Sequence, residues 1–149
     1  FADSSVDVVL STFMVDHMYD WELAAFYREA LRILRPEGQC IVQSDAAFFD
    51  KYIHPFLRLI RQHHWRTSSF LEKWNADVRA RDHHNLKTAR AARAMMECHG
   101  FEFLGMEVPL LFSNRAPVAA LYEVASGLVP MSLVERFLAT SYTLVMVKP

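Results

Sequence analysis

Residues 3–44 constrain the fold of this chain more than any other stretch, because they read as strand, amphipathic helix, turn and strand in unbroken succession. Val6, Val8, Val9 and Leu10, interrupted only by Asp7, form a β-branched run of the kind covered on both faces in a parallel sheet. A polar loop over 11–20 follows. Asp20 is placed to cap the next helix, with Glu22 in the first turn, where the helix dipole favours negative charge. Leu23, Phe26, Tyr27, Ala30, Leu31 and Leu34 recur at three- and four-residue steps. One apolar stripe therefore faces a core while Glu22, Arg28, Glu29 and Arg32 face water. Pro36 ends that helix, and Arg35, Pro36, Glu37 and Gly38 place Pro second and Gly fourth, the preference of a type I turn. Cys40, Ile41 and Val42 make the next buried strand. A strand, a crossover and a parallel strand are almost always right-handed, so this unit is half of an open α/β sheet.

The same residues resemble a known family. Asp3, Ser5, Val6, Asp7, Val8 and Val9, then His17 before the helix, then Arg32, Leu34, Arg35, Pro36 and Gly38 look like the second half of a class I S-adenosylmethionine-dependent methyltransferase. The likeness is closest to the small-molecule branch that includes the ubiquinone and menaquinone methyltransferases. That family usually has Gly-Gly after the proline where this chain has Glu37 and Gly38, so a type I turn is expected where a glycine pair would allow type II.

At 149 residues and 52% hydrophobic, the chain can bury one core, and one domain is expected. A formal net charge of -1 gives no chain-wide electrostatic case for nucleic acid as a partner. Arg79, Arg81, Lys87, Arg90 and Arg93 form a local basic run, read as solvated helix faces with Asp77 and Asp82 among them. Cys40 and Cys98 show no paired motif, which fits reduced thiols in a cytoplasmic protein. No apolar run is long enough to span a bilayer, and the first residues carry no basic signal-peptide region. The chain opens on Phe1 almost directly into a strand, and Gly38, Gly100, Gly105 and Gly127 are not spaced as Gly-x-Gly-x-x-Gly. A carboxy-terminal segment of a longer protein is therefore expected.

Further along, Phe49, Tyr52, Ile53, Phe56, Leu57 and Ile60 predict a helix over 45–64, kinked or restarted at Pro55. Ser69 and Glu72 form a capping box that opens a second helix, with Phe70, Leu71, Trp74 and Val78 on one side. Residues 86–99 predict a helix ended by Gly100, residues 101–108 a strand, and residues 142–147 the last strand. One or two helices are expected over 109–140, with Ser132 and Glu135 a further capping box.

The resemblance implies the carboxy-terminal half of a Rossmann-like α/β methyltransferase sheet, with parallel strands, a final antiparallel strand beside its predecessor, and helical insertions. It implies a single partial domain over 1–149, with residues 45–85 a helical insertion covering the substrate site. The cofactor would be S-adenosylmethionine, and the parent protein would be an enzyme methylating a small, aromatic or apolar acceptor. The isolated chain is expected to bind cofactor weakly or not at all.

In such sheets the ligand lies beyond the carboxyl ends of the strands. By resemblance, Ser11, Thr12, Phe13 and His17 then line the cofactor, and Met14, Phe48, Tyr52 and Trp65 the acceptor. Ordinary core packing explains the insertion's aromatics equally well. The Asn/Asp-Pro-Pro-aromatic signature of methyltransferases acting on amino groups of nucleic acids or glutamine is absent from the loop. Methyl transfer is a direct displacement, so positioning outweighs acid/base chemistry, and His17 is read as a structural or ligand contact rather than a base. No catalytic residue is assigned.

His63, His64, His83 and His84 are read as surface or helix-end histidines, since adjacent helical residues point apart. Cys98 with His99 lacks a third ligand, so no metal is assigned. Asp3 and Asp7 are read as structural. A different class stays open: a methyltransferase-like interaction or scaffold module, self-associating or pairing with another chain through the exposed edge of the first strand. A nicotinamide oxidoreductase shares the sheet and is a third reading.

Overall fold

The computed structural model describes residues 1–61, 69, 70, 72, 73, 76, 83, 85–109, 124, 130, 133 and 139–149. Among them β1 (Val6–Thr12) leads through a 3-10 turn, Val15–His17, into α1 (Asp20–Ile33), which runs directly into β2 (Leu34–Asp45). A π-helical turn, Phe49–Ile53, precedes α2 (His54–Arg61). Later come α3 (Ala89–Cys98), β3 (Glu102–Glu107) and β4 (Ser141–Val147). The strand order is β1-β2-β4-β3. β1 and β2 run parallel, with Val8 to Thr12 beside Gln39 to Gln43, and β4 lies antiparallel between β2 and β3.

The alternation along β2 and β4 decides which face is covered. Cys40, Val42 and Ser44 stand opposite Met146, Leu144 and Tyr142, and all six are buried. Leu23, Tyr27 and Ala30 of α1 and Ala92 and Met96 of α3 complete one cluster with that face. Each large apolar side chain so buried contributes about 2 kcal/mol.

β1 departs from expectation. It is the sheet edge, and Val8 and Leu10 remain 52% and 64% exposed, so it is not covered on both faces. Only Val6 and Val9 pack against the core, because α1 and α3 both join the cluster on that face. The expected carboxy-terminal half of a methyltransferase sheet is likewise corrected. All four strands share one core with α1 and α3, and the last strand lies antiparallel beside its predecessor as expected, so the architecture is a mixed Rossmann-like sheet with helical insertions.

Local chemistry explains the element ends. The Glu22 carboxylate accepts the Tyr19 backbone N–H at 2.8 Å, so Tyr19 caps α1. Asp20 lies inside the first turn and accepts hydrogen bonds from Asn85 and Lys87 instead. Pro55 has no N–H to give, and just before it the His54 N–H reaches back five residues to the Phe49 carbonyl, which re-phases the helix into α2. Thr88 caps α3 by accepting from the Ala91 N–H. Gly100, at φ +100°, ends it in a left-handed turn, its N–H on the Glu97 carbonyl and that of Phe101 on Met96.

The turn before Gly38 is also corrected. Glu37 sits at φ +64°, in the left-handed region that a type II turn demands third, not in a type I turn. Pairing imposes this: the Glu37 N–H donates to the Lys148 carbonyl and the Lys148 N–H to the Gly38 carbonyl, both at 2.9 Å. Trp65, His63, His64, His84, Arg79 and Arg81 lie outside the described residues, as do most of the two capping-box helices expected after 69 and 132. No described helix is long and apolar enough to cross a membrane.

Candidate functional site

β1 and β2 end at the same edge of the sheet because they are parallel, and the loop leaving β1 turns across that edge. Ser11 is buried, and its Oγ has no hydrogen-bond partner among the described residues. Thr12 is exposed. Phe13 follows at φ +50°, where a residue with a Cβ is strained, and its N–H is pinned to the Gln43 carbonyl at 2.8 Å. The ring itself is half-exposed, so apolar burial does not repay the strain. Met14 is also partly exposed, and His17 lies with its ring edge-on to His83, centroids 4.6 Å apart.

Beneath this loop lies a knot of charge. Asp16 and Asp50 are buried, and His83 is mostly so. His83 Nδ1 is 2.7 Å from Asp50 Oδ2, and its Nε2 is 3.6 Å from Asp16 Oδ2. His54 approaches the other oxygen of Asp50 at 3.7 Å. Asp45, at the end of β2, has its carboxyl pushed above the usual range by burial, then by the charges of Asp50 and Asp16, against the opposing pull of His83 and His54. The segment carrying His83 is tied down beside it: the Asn85 N–H donates to the Asp16 carbonyl at 2.9 Å, and the Asn85 and Lys87 side chains hold Asp20.

A cavity of about 400 Å³ opens along the same edge, among Ala46, Phe48, Thr88, Arg90, Val108 and Tyr142. That is the size of a small-ligand site with a mainly apolar wall. The Phe48 and Tyr52 rings lie tilted against one another, centroids 5.3 Å apart, but only Phe48 lines this cavity. The Tyr142 phenol is pushed up to about 12, chiefly by burial and further by Asp16 and Asp45, with the Ser44 hydroxyl opposing. It therefore meets a ligand as a neutral group. Burial also holds the Cys40 thiol up at about 12, which makes it an inert core residue rather than a nucleophile.

Of the residues expected around a ligand, Ser11 and Thr12 end β1, Phe13, Met14 and His17 lie in the segment that follows, and Phe48 faces a cavity. In the local basic run, Lys87 pairs with Asp20, and Arg93 pairs with Glu97 while lying over the Phe103 ring. The sequence reading missed Asp16, Asp45 and Asp50, and it set His83 on the surface.

A family model described as a methyltransferase domain matches residues 1–42. Solved structures align over the whole length. A SAM-dependent methyltransferase from Archaeoglobus fulgidus aligns with TM-score 0.60 and 11% identity, over 98% of this chain and 61% of that one. A S-adenosylmethionine-dependent methyltransferase from Mesorhizobium loti gives 0.54 and 16%, over 98% and 63%. The chain has a methyltransferase fold. The [4+2]-cyclase SpnF aligns as well, with TM-score 0.53 and 17% identity, over 100% of this chain and 52% of that one. This chain thus spans less than two thirds of each of these three. No curated protein matches it by sequence. The expectation of a carboxy-terminal part of a class I methyltransferase is overturned, since the family match falls on the first 42 residues and the structural alignments take in 98–100% of the chain.

Proposed function

We propose that this chain takes part in methyl transfer from S-adenosylmethionine to a small, aromatic or apolar acceptor. The observation that carries the reading is Phe13: a strained backbone at the carboxyl edge of β1, fixed to β2, with its side chain left half-exposed. In this reading Ser11, Thr12, Phe13 and His17 contact the cofactor, and Met14, Phe48 and Tyr52 border the acceptor, with Trp65 assigned to the same wall from the sequence. Residues 45–85 would cover it. The chemistry asked of the protein is alignment: nucleophile, methyl carbon and sulfonium sulfur in line, water excluded by apolar walls. Tyr142, held neutral, can donate a hydrogen bond to an acceptor oxygen but does not supply a charge.

Calorimetry of the full-length protein with S-adenosylmethionine tests the cofactor half, and transfer of labelled methyl to a panel of phenols and quinols tests the acceptor half. Saturable binding and labelled product are expected. Phe13→Gly makes the test specific. Glycine relieves a left-handed backbone costing about 1 kcal/mol, so stability holds or rises, while cofactor affinity falls about tenfold as the ring and the loop's fixed shape are lost. A Phe13→Gly protein that binds cofactor as tightly as wild type removes the residue from the site.

The exposed Val8 and Leu10 on edge strand β1 favour a second reading, an interaction module that associates through this strand. Sedimentation at increasing concentration separates the two. A tight complex, with no cofactor binding in the full-length protein, selects the module.

A further inference from the structure

From the geometry around Asp16 we infer a binding site for a divalent first-row transition ion, held by the Asp16 carboxylate and the imidazoles of His17 and His83. The inference goes beyond methyl transfer and does not depend on it. Asp16 is 1% exposed, yet neither of its oxygens accepts a hydrogen bond among the described residues. An unmet buried carboxylate costs several kcal/mol unless a cation answers it.

The nearest imidazole is that of His83, whose Nδ1 lies 2.7 Å from Asp50 Oδ2 and whose Nε2 faces Asp16 Oδ2 at 3.6 Å, beyond hydrogen-bond reach. The same distance is what two donors take when each stands about 2.1 Å from one ion at an angle of about 120°. A carboxylate behind the other ring nitrogen is also the usual support of a metal-bound histidine.

His17 supplies the third donor. Its ring lies edge-on to His83, and one ligand atom from each of Asp16, His17 and His83 falls within 4.8 Å of the others. Asp45 and Asp50 gather around His83 within the same limit, so two further carboxylates add to the negative potential at this end of the sheet. One carboxylate with two imidazoles suits zinc, cobalt, iron or manganese better than magnesium or calcium. An exposed His17 leaves room for an exogenous ligand on the ion.

The test uses the full-length protein stripped by chelator and titrated with Co²⁺, whose visible absorption reports imidazole and carboxylate ligation. One equivalent is expected to bind and to be displaced by Zn²⁺. Asp16→Asn is isosteric and removes the charge. It should weaken Co²⁺ binding about 100-fold, and Asp50→Asn, which removes the carboxylate behind His83, about 10- to 100-fold. Thermal melts supply a readout independent of any activity. Zn²⁺ should raise the wild-type midpoint, whereas metal-free Asp16→Asn should melt above metal-free wild type and gain nothing from Zn²⁺. A folded wild type with no Co²⁺ band overturns the inference. So does Asp16→Asn binding Co²⁺ with undiminished affinity, or a nitrogen spectrum showing His83 protonated on both ring nitrogens in protein saturated with Zn²⁺.

Discussion

Raising the pH from about 9 to about 12 is expected to remove most of the stability of this fold. The cause is in the core. Burial raises the Cys40 thiol from 9.0 to about 12 and the Tyr142 phenol from 10.0 to about 12, and lifts the Tyr27 phenol well above its ordinary value. Each group is neutral when folded and loses its proton first in the unfolded chain. Its contribution is therefore whole below the unfolded pKa and is lost as pH climbs toward the folded one. At about 1.4 kcal/mol for each pH unit separating the two values, Cys40 accounts for on the order of 4 kcal/mol and Tyr142 for on the order of 3. Together these are a large part of a typical domain's stability. Urea unfolding at a series of pH values measures it. The midpoint should fall steeply above about pH 9, and Tyr142→Phe should flatten the decline above about pH 10. A midpoint unchanged from pH 8 to pH 11 would mean that neither group is sealed from water as the structure has it.

The first third of the fold was legible because its signals are local. The three- and four-residue spacing of Leu23, Tyr27 and Ala30 sets which face of α1 is buried, and the apolar run in β2 sets a strand. What periodicity could not say was how many faces of β1 find cover. Val8 and Leu10 look like core residues in sequence, and they are exposed because β1 ends the sheet and both helices belong to the other side. The same limit explains the turn. Composition at Glu37 favours type I, but the conformation is dictated by Lys148, more than a hundred residues on.

The candidate site divides along the same line. Ser11 to Met14 could be read from the end of a strand, since a parallel unit brings its ligand edge with it. Phe48 could be read from an aromatic-rich segment. Asp16 and His83 could not, because each looks ordinary alone: one acidic residue in a polar loop, one histidine in a pair. Their meaning comes from a tertiary contact at 3.6 Å between residues 16 and 83, and the buried Asp50 that orients the ring is equally remote from both. A spacing-based search for metal ligands finds neighbours on one helix, not a set assembled from a 3-10 turn and a remote connecting segment.

Two adjacent positions in the irregular first part of β2 should respond to substitution with opposite signs. Gly38 has no room for a side chain: a Cβ there would stand 2.8 Å from the Arg35 carbonyl oxygen, 3.0 Å from Leu34 Cδ2 and 3.2 Å from the Asp7 carbonyl oxygen. Two of those three neighbours are backbone, so the clash cannot be relieved by turning a rotamer. Gly38 is also bonded to Lys148, and any shift pulls on β4. Gly38→Ala is expected to cost about 2–3 kcal/mol, lowering the melting midpoint by roughly 4–12 °C for a chain of this size. Glu37 has the reverse problem, ample exposure and a left-handed backbone at φ +64°. Glu37→Gly relieves about 1–2 kcal/mol of strain and returns about half of that as added freedom of the unfolded chain. The net is a gain of roughly 0.5–1 kcal/mol, or a few degrees. Calorimetric melts of the two single variants decide the matter. If Glu37→Gly destabilises, the left-handed turn is not the native one, and if Gly38→Ala is silent, the close approach of β1, the turn and β4 is not real.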